Sequence, residues 1–130
     1  MQINGFNDRS FRTNAQNYIS PNIVVVDVPT GQEMHGLDGF IQYSEGFVSA
    51  MPNIKGTILG QEVNGNTVVS TIRGTGTFTG QLETPQGTVP GNGNKVELEY
   101  QLEVVVENDK IVRFTLNYDM QSFMSQLGLA

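Results

Sequence analysis

Residues 96–130, VELEYQLEVVVENDKIVRFTLNYDMQSFMSQLGLA, set a strand, a turn, a second strand and a helix in immediate succession. In the first piece Val96, Leu98, Tyr100, Leu102 and Val104 fall on one side, and Glu97, Glu99, Gln101 and Glu103 on the other. Successive side chains of a strand point to opposite faces, so this alternation predicts one face on a core and one in water. Glu107-Asn108-Asp109 turns the chain into residues 111–118, a second strand. Met120, Phe123, Met124 and Leu127 then recur at the spacing of a short closing helix. Asp119 stands at the junction of strand and helix. A carboxylate there can cap the helix by accepting a backbone N–H, serve a pocket as acid or base, or do both.

Working back from this stretch, residues 80–94 are rich in Gly, Pro and Asn and read as a long loop, a candidate pocket rim. Residues 54–63 and 67–79 read as two strands joined at Asn64-Gly65, a strong hairpin signal. In residues 37–51 the positions Leu37, Phe40, Ile41, Phe47, Val48 and Met51 follow helical spacing, with Asp38 suited to the positive end of the dipole and Pro52 as the stop. Residues 23–28, IVVVDV, lie between Pro21 and Pro29 and are too short and too β-branched for a helix, so they predict a strand. Residues 30–36 are expected to be a loop carrying the only histidine, His35. Phe11, Ala15, Tyr18 and Ile19 predict a short helix over residues 7–19, ended at Ser20-Pro21. Helices and long strands are segregated, with no repeat and no βαβ alternation, which means α+β: helices packed on one face of a curved sheet. A strongly twisted sheet wrapped around helices leaves a cone open at one end, suited to a small apolar ligand.

The 130 residues fit one domain, residues 1–130. With a net charge of −6 and seven Lys and Arg scattered singly, there is no basic stripe to neutralise phosphates, so nucleic acid is not an expected partner. The absence of cysteine removes disulfides, thiolate metal sites and a Cys nucleophile, and one histidine leaves no nitrogen metal site. No apolar run approaches the ~20 residues of a membrane span, and the start MQINGFNDRS is unlike a signal peptide; a soluble cytoplasmic protein is the expectation. Gly74-Thr75-Gly76-Thr77-Phe78-Thr79-Gly80 is not a dinucleotide loop, because Thr79 stands where G-x-G-x-x-G needs glycine and no helix follows. There is no G-x-S-x-G elbow for a serine hydrolase.

HGLDGFIQYSEGFVSAMPNIKG, residues 35–56, resembles the central segment of SnoaL-like polyketide cyclases in the nuclear transport factor 2-like superfamily. Arg73-Gly74-Thr75, Gly93-Asn94-Lys95, and Asp119 followed after six residues by Gln126-Leu127-Gly128 fall in the same order. The resemblance implies a cone-shaped curved antiparallel or mixed sheet wrapped around helices, with the N-terminal helix shortened. It also implies homodimers, no cofactor, and an interior pocket where an aspartate does acid/base work on a polyketide-like or other carbonyl compound. Asp119 falls on that aspartate, whereas the family's histidine falls on Gly76.

Cyclising or isomerising a carbonyl compound requires a base that takes a proton from carbon and a donor that stabilises the enolate. The apolar neighbours of Asp119 in sequence (Phe114, Leu116, Tyr118, Met120 and Phe123) suit a carboxylate working as that base. His35 could supply the partner that Gly76 cannot, or simply be solvated. Tyr43, Tyr100 and Tyr118 could hydrogen-bond an enolate oxygen or be core, and Tyr100 has the best claim, because its strand parity turns it inward. Phe47, Met51, Phe78 and Phe114, with Tyr43, are the expected pocket lining. Arg73 resembles the arginine of the Asp-Arg-Asp array of limonene epoxide hydrolase, but Thr75 replaces the second acid, and surface pairing with Glu97, Glu99 or Glu103 is expected instead. The alternative to an enzyme is a non-catalytic binding or association module on the same cone.

Overall fold

The computed structural model describes residues 15–84 and 87–128. Six strands form one sheet in the order β2-β1-β8-β7-β4-β3, and β5-β6 form a separate two-stranded ribbon. The strands are β1 (Ile19–Asp27), β2 (Gln32–His35), β3 (Lys55–Asn64), β4 (Thr67–Phe78), β5 (Gln81–Thr84), β6 (Gly87–Pro90), β7 (Asn94–Glu107) and β8 (Lys110–Asn117); the helices are α1 (Gly36–Ala50) and α2 (Met120–Leu127). Every neighbouring pair in the large sheet is antiparallel except β1 with β8, which run parallel. The sheet is therefore mixed, and the ends of β1 and β8 arrive at the same edge.

Local chemistry fixes the turns. Asn108 and Asp109 carry positive φ angles of 52° and 64° between β7 and β8, a conformation that a hairpin of this twist requires and that Asn and Asp tolerate best after glycine. Gly65, with φ of 61°, begins the two-residue turn that sets Asn64 opposite Thr67. The inward parity of β7 is as the alternation predicts: Val96, Leu102 and Val104 are buried, while Glu97, Glu99 and Glu103 are exposed. On these faces sit two clusters, one around Phe40, Ile72, Val104 and Phe114, the other around Ala50, Met51, Phe78, Phe123 and Leu127. Each fully buried residue of this size contributes roughly 1.5–3 kcal/mol of hydrophobic stabilisation.

Three expectations change. The helix predicted over residues 7–19 lies mostly outside the described residues; within them only Ala15–Asn17 turns, as a 3-10 helix, and Ile19 already belongs to β1. Ile19 pairs with Ile111 and is fully buried, so sheet pairing wins over the helical spacing. Pro21 is tolerated in β1 because the register slips between Ile19 and Val24, freeing the backbone that proline cannot satisfy. The loop at residues 30–36 contains β2, whose Val24–His35 pairing makes it an edge strand. The loop at residues 80–94 holds the β5-β6 ribbon, and Leu82 and Val89 pack on the second cluster rather than rimming an opening.

Candidate functional site

The concave face of the sheet and the inner face of α1 enclose a cavity of about 80 Å³. Tyr43 and Phe47 line it from α1 at four-residue spacing, which puts them on one side of the helix, and Met51, the C-cap residue of α1, continues that line. Leu98, Tyr100 and Leu102 line it from β7, and Phe114 and Leu116 from β8, each set at two-residue spacing. Beside β7, its hydrogen-bonded neighbour β4 contributes glycine where a side chain would fill the space. A Cβ on Gly74 would lie 2.9 Å from the Tyr100 ring, and one on Gly76 would lie 3.0 Å from Met51 Cβ and 3.1 Å from its sulfur. The two glycines thus let Tyr100 and Met51 lean over the backbone of β4.

The lining is largely apolar, and among the described residues its only ones with hydroxyls are Tyr43, Ser44, Thr75, Tyr100 and Tyr118. The Tyr43 hydroxyl donates to Asp27 Oδ2 at 2.8 Å and the Tyr118 hydroxyl donates to the same oxygen at 3.0 Å. The other carboxylate oxygen of Asp27 accepts from the Thr30 amide at 3.3 Å. Asp27 is only 3% exposed. Burial above all, together with the negative charge of Asp27, holds both tyrosines well above the usual phenol range. Burial alone pushes Tyr100 up to about 12. Tyr118 and Tyr100 add smaller contributions to the rise at Tyr43, and all three line the same cavity. Edge-to-face contacts of Tyr43 with Phe47 and Tyr118 with Phe123, at 5.2 and 5.7 Å between ring centres, hold two of them in place.

The expected site residues are distributed unevenly. Tyr43, Phe47, Met51, Tyr100 and Phe114 come together at the cavity; Phe78 is fully buried in the second cluster and is not part of the wall. Asp119 is exposed and caps α2, its Oδ1 accepting from the Ser122 amide at 3.1 Å. His35 is exposed at the end of β2, with Nε2 3.4 Å from Glu33 Oε1, and occupies the N-cap position of α1 without a side-chain capping bond. Arg73 pairs with Glu97 at 3.8 Å on the outer face, an exposed contact of little energetic weight. Asp27 is hidden in the sequence because IVVVDV reads as one apolar run. Its signal was parity: Ile23, Val25 and Asp27 are the three buried members of residues 23–27.

Among the described residues, no three His, Cys, Asp or Glu side chains converge as metal ligands would. No helix among them is long and apolar enough to cross a membrane.

The sequence pattern of the SnoaL-like polyketide cyclases matches residues 3–127. A search of the curated proteins finds no significant match. Among solved structures, a protein from Jannaschia sp. CCS1 proposed to be a SnoaL-like polyketide cyclase superposes with a TM-score of 0.81 at 17% identity, covering 92% of this chain and 79% of that one. IdmH from Streptomyces antibioticus, proposed to be a polyketide cyclase, gives 0.78 at 20% identity, covering 97% and 92%. A Catenulispora acidiphila protein with a ketosteroid isomerase-like fold, bound to trimethylamine, gives 0.78 at 15% identity, covering 98% and 89%. At these identities the structures speak for the fold, and the match over residues 3–127 speaks for the family: the chain belongs to the SnoaL-like polyketide cyclases.

Proposed function

We propose that the chain is an acid/base enzyme of the SnoaL-like kind, working without a cofactor on a small, largely apolar carbonyl compound held in the cavity. The observation that carries this reading is that three tyrosines, Tyr43, Tyr100 and Tyr118, line one largely apolar cavity, two of them hydrogen-bonded to the buried Asp27. Removing a proton next to a carbonyl puts negative charge on its oxygen, and a donor fixed in a site of low dielectric stabilises that charge far more than water does. Tyr43 and Tyr118 spend their single protons on Asp27, so towards the cavity they offer lone pairs. Tyr100 has no such acceptor among the described residues, and with its pKa near 12 it is a protonated donor at neutral pH. The reading rests on these tyrosines. Asp119, at the position of the family aspartate, holds Ser122 instead, and His35 lies on the surface.

A binding module without catalysis is favoured by one observation: where the family histidine would stand, Gly76 leaves its space to Met51. 2-Tetralone and 2-naphthol, a ketone and an aromatic stand-in for its enol, separate the two readings. The enzyme binds 2-naphthol, seen by its fluorescence, and speeds deuterium incorporation from D₂O next to the carbonyl of 2-tetralone, seen by NMR. Tyr100→Phe then lowers exchange by about 100-fold, the cost of one oxyanion donor. Naphthol binding with no exchange above buffer establishes the binding module, and failure of both excludes the proposal. The same proposal includes a homodimer; sedimentation at micromolar concentration giving a 14.2 kDa species removes it.

A further inference from the structure

Asp27 lies behind the cavity wall rather than in it: its carboxylate is buried, two wall tyrosines donate to one of its oxygens, and it is absent from the residues that face the empty space. No Lys, Arg or His pairs with it among the described residues. A buried carboxylate without a cation is costly to keep and is commonly relieved by hydrogen bonds, which the tyrosines and Thr30 supply. That arrangement satisfies Asp27, and it also connects Asp27 to the cavity through two exchangeable protons.

We infer that Asp27 is the proton acceptor of this site, reached through Tyr43 and Tyr118, so that a ligand with a C–H bond next to a carbonyl loses its proton into this unit while Tyr100 meets the carbonyl oxygen. The inference rests on the acid/base reading above. In the step, the C–H bond breaks and its electron pair becomes the enolate. The proton joins the oxygen of one tyrosine as that hydroxyl's own proton passes to Asp27 Oδ2. The negative charge leaves the carboxylate and appears on the ligand oxygen, where Tyr100 donates to it. The reverse transfer returns the proton to the same or a neighbouring carbon, so no oxidant, reductant or metal enters the balance. The tyrosines must remain neutral at rest for this to work, and burial beside Asp27 disfavours their ionisation. The ligand is thereby narrowed to an enolisable ketone or aldehyde whose remaining surface is apolar, matching Phe47, Leu98, Leu102 and Phe114.

The test compares Asp27→Asn with wild type on 2-tetralone exchange and 2-naphthol binding. Asparagine keeps an oxygen for the tyrosine hydroxyls and cannot take the proton. The expected result is a fall in kcat of at least 100-fold, with KM and the naphthol Kd within 3-fold of wild type, since proton transfer is typically worth 10²–10⁴. A structural role for Asp27 would move binding and folding together, and that result overturns the inference. Retention of wild-type kcat overturns it too. Should Asp27→Asn fail to fold, Tyr43→Phe and Tyr118→Phe each break one link and leave the carboxylate with the other. Because either tyrosine can carry the proton, the deciding variant is Tyr43→Phe/Tyr118→Phe, which breaks both links: it must lower kcat by 30-fold or more at unchanged naphthol Kd, and if it does not, the relay is excluded. A wild-type protein that exchanges 2-tetralone while these variants do the same refutes the relay alone, whereas a wild type that neither binds nor exchanges removes the acid/base reading and the relay with it.

Discussion

Asp27 and Asp119 stand at the same end of the sheet, one at the end of β1 and the other just past the end of its parallel neighbour β8, and have opposite surroundings. Asp27 is the last residue of β1, keeps the inward parity of Ile23 and Val25, and is closed over by two tyrosines. Asp119 comes two residues after β8 ends, where the chain has left the sheet's alternation, and its side chain turns outward to an amide of α2. Tyr118, one residue before Asp119, is the link between them: its hydroxyl reaches Asp27 while its neighbour faces water. A single step along the chain thus separates a buried proton site from a surface cap. Strand parity and burial, rather than residue type, set the surroundings of each carboxylate here.

The largest effect should come from deleting the buried member. Asp27→Ala leaves two tyrosine hydroxyls without their acceptor, and at roughly 1–3 kcal/mol for each stranded buried group the loss should be about 3 kcal/mol in urea unfolding. Asp119→Ala, by the same measurement, should cost only about 1 kcal/mol. Equal losses would break the comparison.

Next comes alkaline pH, which acts on the buried side alone. An unfolded tyrosine ionises near 10, whereas Tyr100 holds its proton to about 12 and Tyr43 and Tyr118 are also raised. Above pH 10 the unfolded chain therefore binds fewer protons than the folded one, and stability falls as pH rises. The stabilisation is intact below 10 and declines through 10 to 12 by about 1.4 kcal/mol per pH unit for each tyrosine fully shifted. Tyrosinate absorbance should appear in one cooperative step together with unfolding. Independent titration of all tyrosines near 10 in a folded protein would refute the burial of this group.

Much of this fold was legible in residues 96–130. The five inward residues of β7, the Asn108-Asp109 turn and the stripe of α2 each follow from local spacing, and the parity of Tyr100 brought it to the cavity. Asp27 was not legible, because four consecutive apolar residues hide which face of β1 is buried until the register with β8 is known. Phe78 has inward parity too, yet it lies beyond the cavity, at the end of β4, where α2 and the β5-β6 ribbon close over it. Periodicity gives the face of a strand; how far along that face the cavity extends depends on contacts distant in sequence.

Gly76 offers a smaller test of the cavity side. Alanine there places a methyl carbon 3.0 Å from Met51 Cβ, closer than packed carbons sit, so Gly76→Ala should cost about 1 kcal/mol as Met51 is pushed aside. Met51→Ala alone also destabilises, by emptying buried volume. The double variant should lose less than the sum of the two singles, because the alanine at 76 occupies part of the space the methionine vacates. Strict additivity in urea unfolding would mean that the two positions do not share that space.

The smallest effect, and the one that bears most directly on the two aspartates, is Asp119→Asn. Asparagine is as good an N-cap as aspartate and still offers an oxygen to the Ser122 amide, so stability should change by only a few tenths of a kcal/mol. With the carboxylate exposed and outside the cavity wall, the rate of 2-tetralone exchange should stay within 3-fold of wild type. The substitution removes the charge and the basicity of Asp119 while leaving its structural bond, so it isolates chemistry from capping. Loss of exchange at unchanged naphthol affinity would invert the comparison. It would require the Asp119 side chain to leave Ser122 and swing inward past Tyr118 during turnover, and it would reduce Asp27 to an anchor for the tyrosines. Unchanged exchange leaves Asp27 as the carboxylate to which the cavity is connected.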